Sequence, residues 1–282
     1  MYSLLLLILM TSPAAGGVVT IPVANMYSKP TADADVVSQA ILGTTVVLLE
    51  EKEGWTRVQT PDSYSGWMPF SSLRRRGAGE KPYASGGRVA QVESLYANLY
   101  REPDVTKHHA LLTVPFETRL EVTAEPQDDE GRWILVLLPD SRSAWIQRGD
   151  VTLDPKPLGI PQSLELAKRF LGLTYLWGGT SSFGFDCSGF TQMLMRSRGV
   201  TMPRDADLQA AWNGVAPVDR KKLKPGDLLF FGSSPDKITH TGMYMGHGKF
   251  IHDTTHGHPG VQISRLQDEP WSKLLVACRR LK

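Results

Sequence analysis

The sequence predicts two copies of a small all-β barrel, followed by a third unit that combines helices with a β-hairpin. Three observations predict it. The first half carries an internal duplication, two proline- and glycine-containing linkers punctuate the chain, and helical periodicity first emerges after residue 161. A length of 282 residues has room for two or three such domains.

The duplication is explicit in the residues. The segment from Trp55 to Trp67 aligns with that from Trp133 to Trp145, and seven of the 13 positions are identical, including both tryptophans and a Pro-Asp-Ser turn. Upstream, Ala24-Asn25-Met26-Tyr27 aligns with Ala97-Asn98-Leu99-Tyr100, and Pro30 with Pro103. Two copies of about 60 residues are too few for a solenoid. Within each copy, residues 46–49 and 118–122, and again 55–58 and 133–137, read as strands separated by turns, the pattern of a small barrel. The tryptophans read first as core and rim packing, with ligand binding by exposed rings as the alternative. Residues 74–82 and 154–161 read as linkers, the second stiffened by three prolines in eight residues.

Composition narrows the class of function. Hydrophobic residues at 41% and charged residues at 21% are those of soluble globular protein. A net charge of +2 argues against a nucleic-acid partner. With only Cys187 and Cys278, a disulfide framework is excluded. One functional and one buried structural thiol are expected. Residues 4–10 form an apolar run too short to span a bilayer, followed by small residues near 15–17. Residues 1–17 therefore read as a signal peptide, though without a preceding Lys or Arg, and export is favoured over a cytoplasmic location. A monomer with no cofactor, no metal and no stable membrane insertion is expected.

In the third unit, Ser163 reads as the N-cap of a helix through Leu164, Ala167, Phe170 and Leu171, closed by Gly172. A second helical face runs from Ser188 to Ser197, ending at Gly199. Cys187 thus stands at a helix N-terminus, where exposed amides and the helix dipole favour a thiolate. Asp186 beside it opposes that, and must act as an N-cap or bind a substrate group. The stretch from His240 to His252 reads as strand, tight turn, strand. A turn centred on His247 puts 252 opposite 242, so His240 and His252 become diagonal neighbours on one face, the geometry of a base and its orienter. A zinc site from the histidines between 240 and 258 is the alternative, but their spacing lacks the usual ligand pattern. His108 and His109 read as solvated loop residues.

Residues 161–282 resemble the NlpC/P60 peptidases, on Tyr175-Leu-Trp-Gly-Gly, Asp186-Cys-Ser-Gly-Phe, Pro203-Arg-Asp, Lys224-Pro-Gly-Asp, His240-Thr-Gly-Met and Phe250-Ile-His252. The duplicated modules, 18–75 and 88–152, resemble bacterial SH3 (SH3b) domains. The resemblance implies a papain-like α+β catalytic domain behind two SH3-like barrels. It implies Cys187 as nucleophile, His240 as base, His252 as the orienting residue, and Tyr175 beside the nucleophile, placed to donate to the oxyanion with the Cys187 amide. It further implies hydrolysis, through a Cys187 thioester, of the bond from γ-D-Glu to meso-diaminopimelate or Lys in peptidoglycan (murein) peptides with a free N-terminal L-Ala. Asp186 is implied to hold that amine, joined by Tyr64 of the first barrel, with Ser188, Trp177, Arg204 and Asp205 around the substrate. Ala206 departs from the pattern, since members that hold a free amine often carry Ser there. Lys224 to Asp227 reads as a turn. A non-catalytic wall-binding adaptor, and a peptidase or amidase acting on glycan-linked stem peptides, are the competing readings.

Overall fold

The computed structural model describes residues 16–124 and 131–282, so the apolar run at 4–10 lies outside the described residues. The first barrel comprises β1 (Gly16–Val19), β2 (Val23–Tyr27), β3 (Val36–Ile41), β4 (Thr45–Lys52), β5 (Trp55–Gln59), β6 (Ser65–Pro69) and β7 (Leu73–Arg75). The second comprises β8 (Val89–Val92), β9 (Tyr96–Tyr100), β10 (Leu112–Pro115), β11 (Arg119–Ala124), β12 (Trp133–Leu137), β13 (Ser143–Gln147) and β14 (Val151–Leu153). Their strand orders, β3-β2-β6-β5-β4-β1-β7 and β10-β9-β13-β12-β11-β8-β14, are the same order shifted by seven. The alternation read from the sequence is the reason. Ala24, Met26, Val58 and Met68 point into one core, and Ala97, Leu99, Val136 and Ile146 into the other. Tyr27 meets Trp55 edge-on at 5.3 Å, and Tyr100 meets Trp133 at 5.5 Å. These tryptophans are half-buried packing residues.

Two of the residues read as linker belong to a strand. Arg74 and Arg75 lie in β7, because the free edge of β1 pairs with them at Val18 and Gly17. Gly16 and Gly17 form the start of β1 and also pair with β4.

The third unit begins with α1 (Ile160–Lys168), three residues before the expected cap. Pro161 presets the first turn, and Ser163, completely buried inside the helix, points its hydroxyl to the Leu194 carbonyl at 3.4 Å. The short strands β15 (Thr180–Ser181) and β16 (Gly184–Phe185) lead into α2 (Cys187–Ser197), then α3 (Ala206–Ala211). An antiparallel sheet follows: β17 (Val215–Pro217), β18 (Leu228–Ser234), β19 (Lys237–Gly246), β20 (Lys249–Thr254), β21 (Gly260–Arg265) and β22 (Leu275–Leu281), in the order β17-β22-β18-β19-β20-β21. The short helix α4 (Trp271–Leu274) precedes β22. Helix α2 packs with one face of the sheet through Phe190, Met193, Phe230, Met243 and Ile251. Leu229, Phe231, Phe250, Trp271 and Cys278 form a second core on the other face. Lys224 to Asp227 is a turn held by the Asp227 carboxylate, which accepts from the Lys224 amide at 2.7 Å and from Arg280.

Candidate active site

Cys187 is the first residue of α2, and Asp186 is its N-cap. The Asp186 carboxylate accepts from the amides of Gly189 at 2.7 Å and Gly178 at 3.0 Å, and from the Ser188 hydroxyl at 3.1 Å. It also accepts from both terminal nitrogens of Arg204, at 3.0 and 2.6 Å. A carboxylate has about four lone-pair positions. These five donors converge on it and fix the carboxylate beside the nucleophile. Arg204 is 1% exposed and also reaches the Ser188 hydroxyl at 2.7 Å and the Ser38 hydroxyl of the first barrel at 3.2 Å. Arg204 and Ser188 are thus corrected from substrate contacts to internal supports. Their polar groups are spent on a buried, hydrogen-bonded ion pair that locks the nucleophile's helix to β3.

The hairpin of β19 and β20 has the register that the turn at His247 predicts: Met243 pairs with Ile251 and Tyr244 with Phe250. His240 Nε2 lies 2.7 Å from His252 Nδ1, and His252 Nε2 lies 2.9 Å from the Ser264 hydroxyl. Gly242 stands between the histidines, where a Cβ would come within 2.9 Å of the His252 Cβ. Trp271 stacks on His240 at 5.0 Å, with the planes 30° apart, and fixes its ring. The Cys187 sulfur lies 4.0 Å from the Thr239 carbonyl and is hydrogen-bonded by the Thr241 amide, against the backbone that carries His240. With Nε2 of His240 engaged by His252, Nδ1 is the nitrogen left for the thiol.

Burial dominates the electrostatics. It pushes the Cys187 thiol up to about 12, with Asp186 adding to the effect, while the Thr241 and Ser188 amides oppose it. Burial likewise lowers His240 to about 3, and holds His252 well below the ordinary histidine range with help from His240 and His256. Burial thus disfavours both the thiolate and the imidazolium when each is taken singly. Desolvation and the neighbouring carboxylate oppose the thiolate that the helix N-terminus favours. His240 must then act as a general base during attack.

Tyr175 is half-buried, and its hydroxyl is raised by burial first and by Cys187 and Asp186 next, so it remains a protonated donor. Tyr64 of the first barrel donates to Asp205 and is pushed up to about 12, mainly by burial and then by Asp205. Burial raises Asp205 in turn. Trp177 is 70% exposed on the same loop as Tyr175. Three groups escaped the sequence reading: Ser264, Trp271 and Asp253. Ser264 was within reach of it, since the turn between β20 and β21 pairs His252 with Gln262 and makes Ser264 its diagonal neighbour. Asp253 is completely buried with neither carboxylate oxygen hydrogen-bonded, and burial pushes it up to about 8. Among the described residues, no group of three or more His, Cys, Asp or Glu is arranged to hold a metal ion.

Residues 172–280 match the sequence profile of the NlpC/P60 family, and residues 26–73 that of the bacterial dipeptidyl-peptidase Sh3 domain. The chain is 37% identical over 258 residues to a gamma-D-glutamyl-L-lysine dipeptidyl-peptidase of Bacillus cereus, a match spanning 86% of this chain and 74% of that protein. It is 30% identical to the Bacillus subtilis protein of the same name, over 87% and 81% of the two chains. The crystal structure of an NlpC/P60 family protein from Bacillus cereus superposes with a TM-score of 0.80 at 28% identity, covering 94% of this chain and 99% of that one.

Proposed function

Because the chain belongs to the NlpC/P60 family of cysteine peptidases, we propose that it hydrolyses the bond between γ-D-Glu and a diamino acid in peptidoglycan peptides whose N-terminal L-Ala is free. The observation that carries this reading is how the first barrel closes on the nucleophile. Ser38 holds Arg204 behind Asp186, and Tyr64 is bonded to Asp205. A barrel held against the nucleophile's helix supports a substrate whose N-terminal segment is short. The carboxylates of Asp186 and Asp205, with the Tyr64 hydroxyl, form the corner that takes the ammonium, without the hydroxyl that Ala206 lacks.

The chemistry then follows from the geometry. The Cys187 sulfur attacks the γ-carbonyl as its proton passes to Nδ1 of His240. The Cys187 amide and the Tyr175 hydroxyl stabilise the oxyanion. The His240 proton leaves with the diamino acid amine, leaving a thioester. Water then attacks the thioester, giving its proton to His240, and the thiol is restored as the dipeptide departs. The apolar run at residues 4–10 supports export, which cell fractionation tests: recovery of the full-length chain in the cytosol alone opposes it.

The direct test compares L-Ala-γ-D-Glu-meso-diaminopimelate and its L-Lys counterpart with the same peptides N-acetylated. Cleavage of the free-amine forms alone is expected. Equal cleavage of both would show that no ammonium is read and would favour glycan-linked stem peptides as substrates.

A further inference from the structure

We propose that Ser264 is a positioning residue of the catalytic relay, the hydroxyl that accepts the outer proton of His252 and so keeps His240 in the form able to take the proton of Cys187. This inference rests on the cysteine-peptidase reading of the site.

Two successive contacts carry it: His240 Nε2 at 2.7 Å from His252 Nδ1, and His252 Nε2 at 2.9 Å from Ser264 Oγ. For Nδ1 of His240 to receive the thiol proton, the ring must already hold its own proton on Nε2. That proton points at Nδ1 of His252, which must therefore be bare, so His252 holds its proton on Nε2. His252 is completely buried. A buried N–H without an acceptor costs more than the bond it loses. Ser264 Oγ is that acceptor, and being half-buried it can turn its own hydrogen toward solvent. When His240 becomes imidazolium, its Nε2–H leans harder on His252 and the His252 Nε2–H on Ser264, so the hydroxyl matters most when charge develops. No proton leaves the chain. One moves from sulfur to Nδ1 of His240, and each outer hydrogen bond shortens.

The register makes the placement structural. His252 pairs with Gln262 and Phe250 with Ser264 across β20 and β21, so the seryl side chain shares the face of the two histidines and Trp271.

The test compares Ser264→Thr, which keeps the hydroxyl, with Ser264→Val, which keeps Thr's shape without it. In the Val variant, kcat should fall about fivefold with KM unchanged, and the Thr variant should stay near wild type. The rate at which iodoacetamide labels Cys187, followed by mass on the Cys187 peptide, should show the same contrast. Nitrogen NMR of the wild-type protein should show His252 protonated on Nε2. Equal kcat, or equal labelling rates, in the Thr and Val variants overturns the assignment, as does an Nδ1-protonated His252 in the wild type. If the wild type cleaves none of the murein peptides while labelling depends on the hydroxyl, the substrate reading fails and the role of Ser264 stands.

Discussion

The two barrels are copies in fold and opposites in use. They share strand order, and the edge-on pairs Tyr27–Trp55 and Tyr100–Trp133 match within 0.2 Å, from 5.3 and 5.5 Å. Both turns hold a serine at positive φ, Ser63 at 65° and Ser141 at 69°. Next to those serines the copies part. In the first barrel, Asp62 accepts from Gln192 of α2 at 2.8 Å and Tyr64 reaches Asp205. In the second, Asp140 is taken up by its own neighbour Arg142 at 2.7 Å. The second barrel instead braces the catalytic domain from another side. Phe116 packs on Phe170, the Phe116 amide donates to the Ser182 hydroxyl at 2.9 Å, and Glu117 pairs with Arg196 at 2.8 Å. Duplication preserves what the core demands, while a few turn-tip side chains decide which part of the catalytic domain each copy meets.

The largest expected effect asks whether the barrels contribute any chemistry of their own. Cys187→Ala should cost about ten-thousand-fold in turnover while both barrels stay folded by circular dichroism. Residual hydrolysis near wild type would break the division of labour. The tryptophans test equivalence of the cores. Trp55→Ala and Trp133→Ala should each lower stability by about 3 kcal/mol in denaturant unfolding, and a large difference between them would mean that the copies are not structurally equivalent.

Asp253 separates the barrels from the catalytic domain by pH. Among the described residues it is the one buried carboxylate with both oxygens unpartnered. Its carboxyl is pushed up to about 8, by burial first and then by Asp186, so folding favours the protonated form. The stability it contributes is complete below the ordinary aspartate range, is lost as the pH rises from there through about 8, and changes no further above it. Asp253→Asn should flatten that slope and raise stability above pH 8 by about 2 kcal/mol. An unchanged pH–stability curve would place the charge elsewhere.

The smallest effect addresses the comparison most directly. Tyr64→Phe should raise KM for the free-amine peptide about tenfold, whereas Arg142→Ala, at the matching position of the other barrel, should stay within about twofold. Equal effects would erase the functional asymmetry between the copies.

The sequence alone determined the elements whose physics is local. Period-two alternation and the repeated Trp and Pro-Asp-Ser signals mark both barrels, and the turn at His247 determines a register that brings His240 and His252 together. An acidic N-cap before an apolar helical face places Cys187 at the start of α2. Only the tertiary structure decided what depends on who fills a lone pair or excludes water. Asp186 is legible in sequence as the N-cap of α2, yet its ion pair with Arg204, 18 residues away, is not, because only folding brings that guanidinium to it. The thiol's protonation followed the same logic. A helix N-terminus is visible in sequence, but the desolvation that opposes it comes from strands and loops brought together by folding. Periodicity reports which side of an element is buried, whereas the competition for a given donor or acceptor is settled by partners distant along the chain.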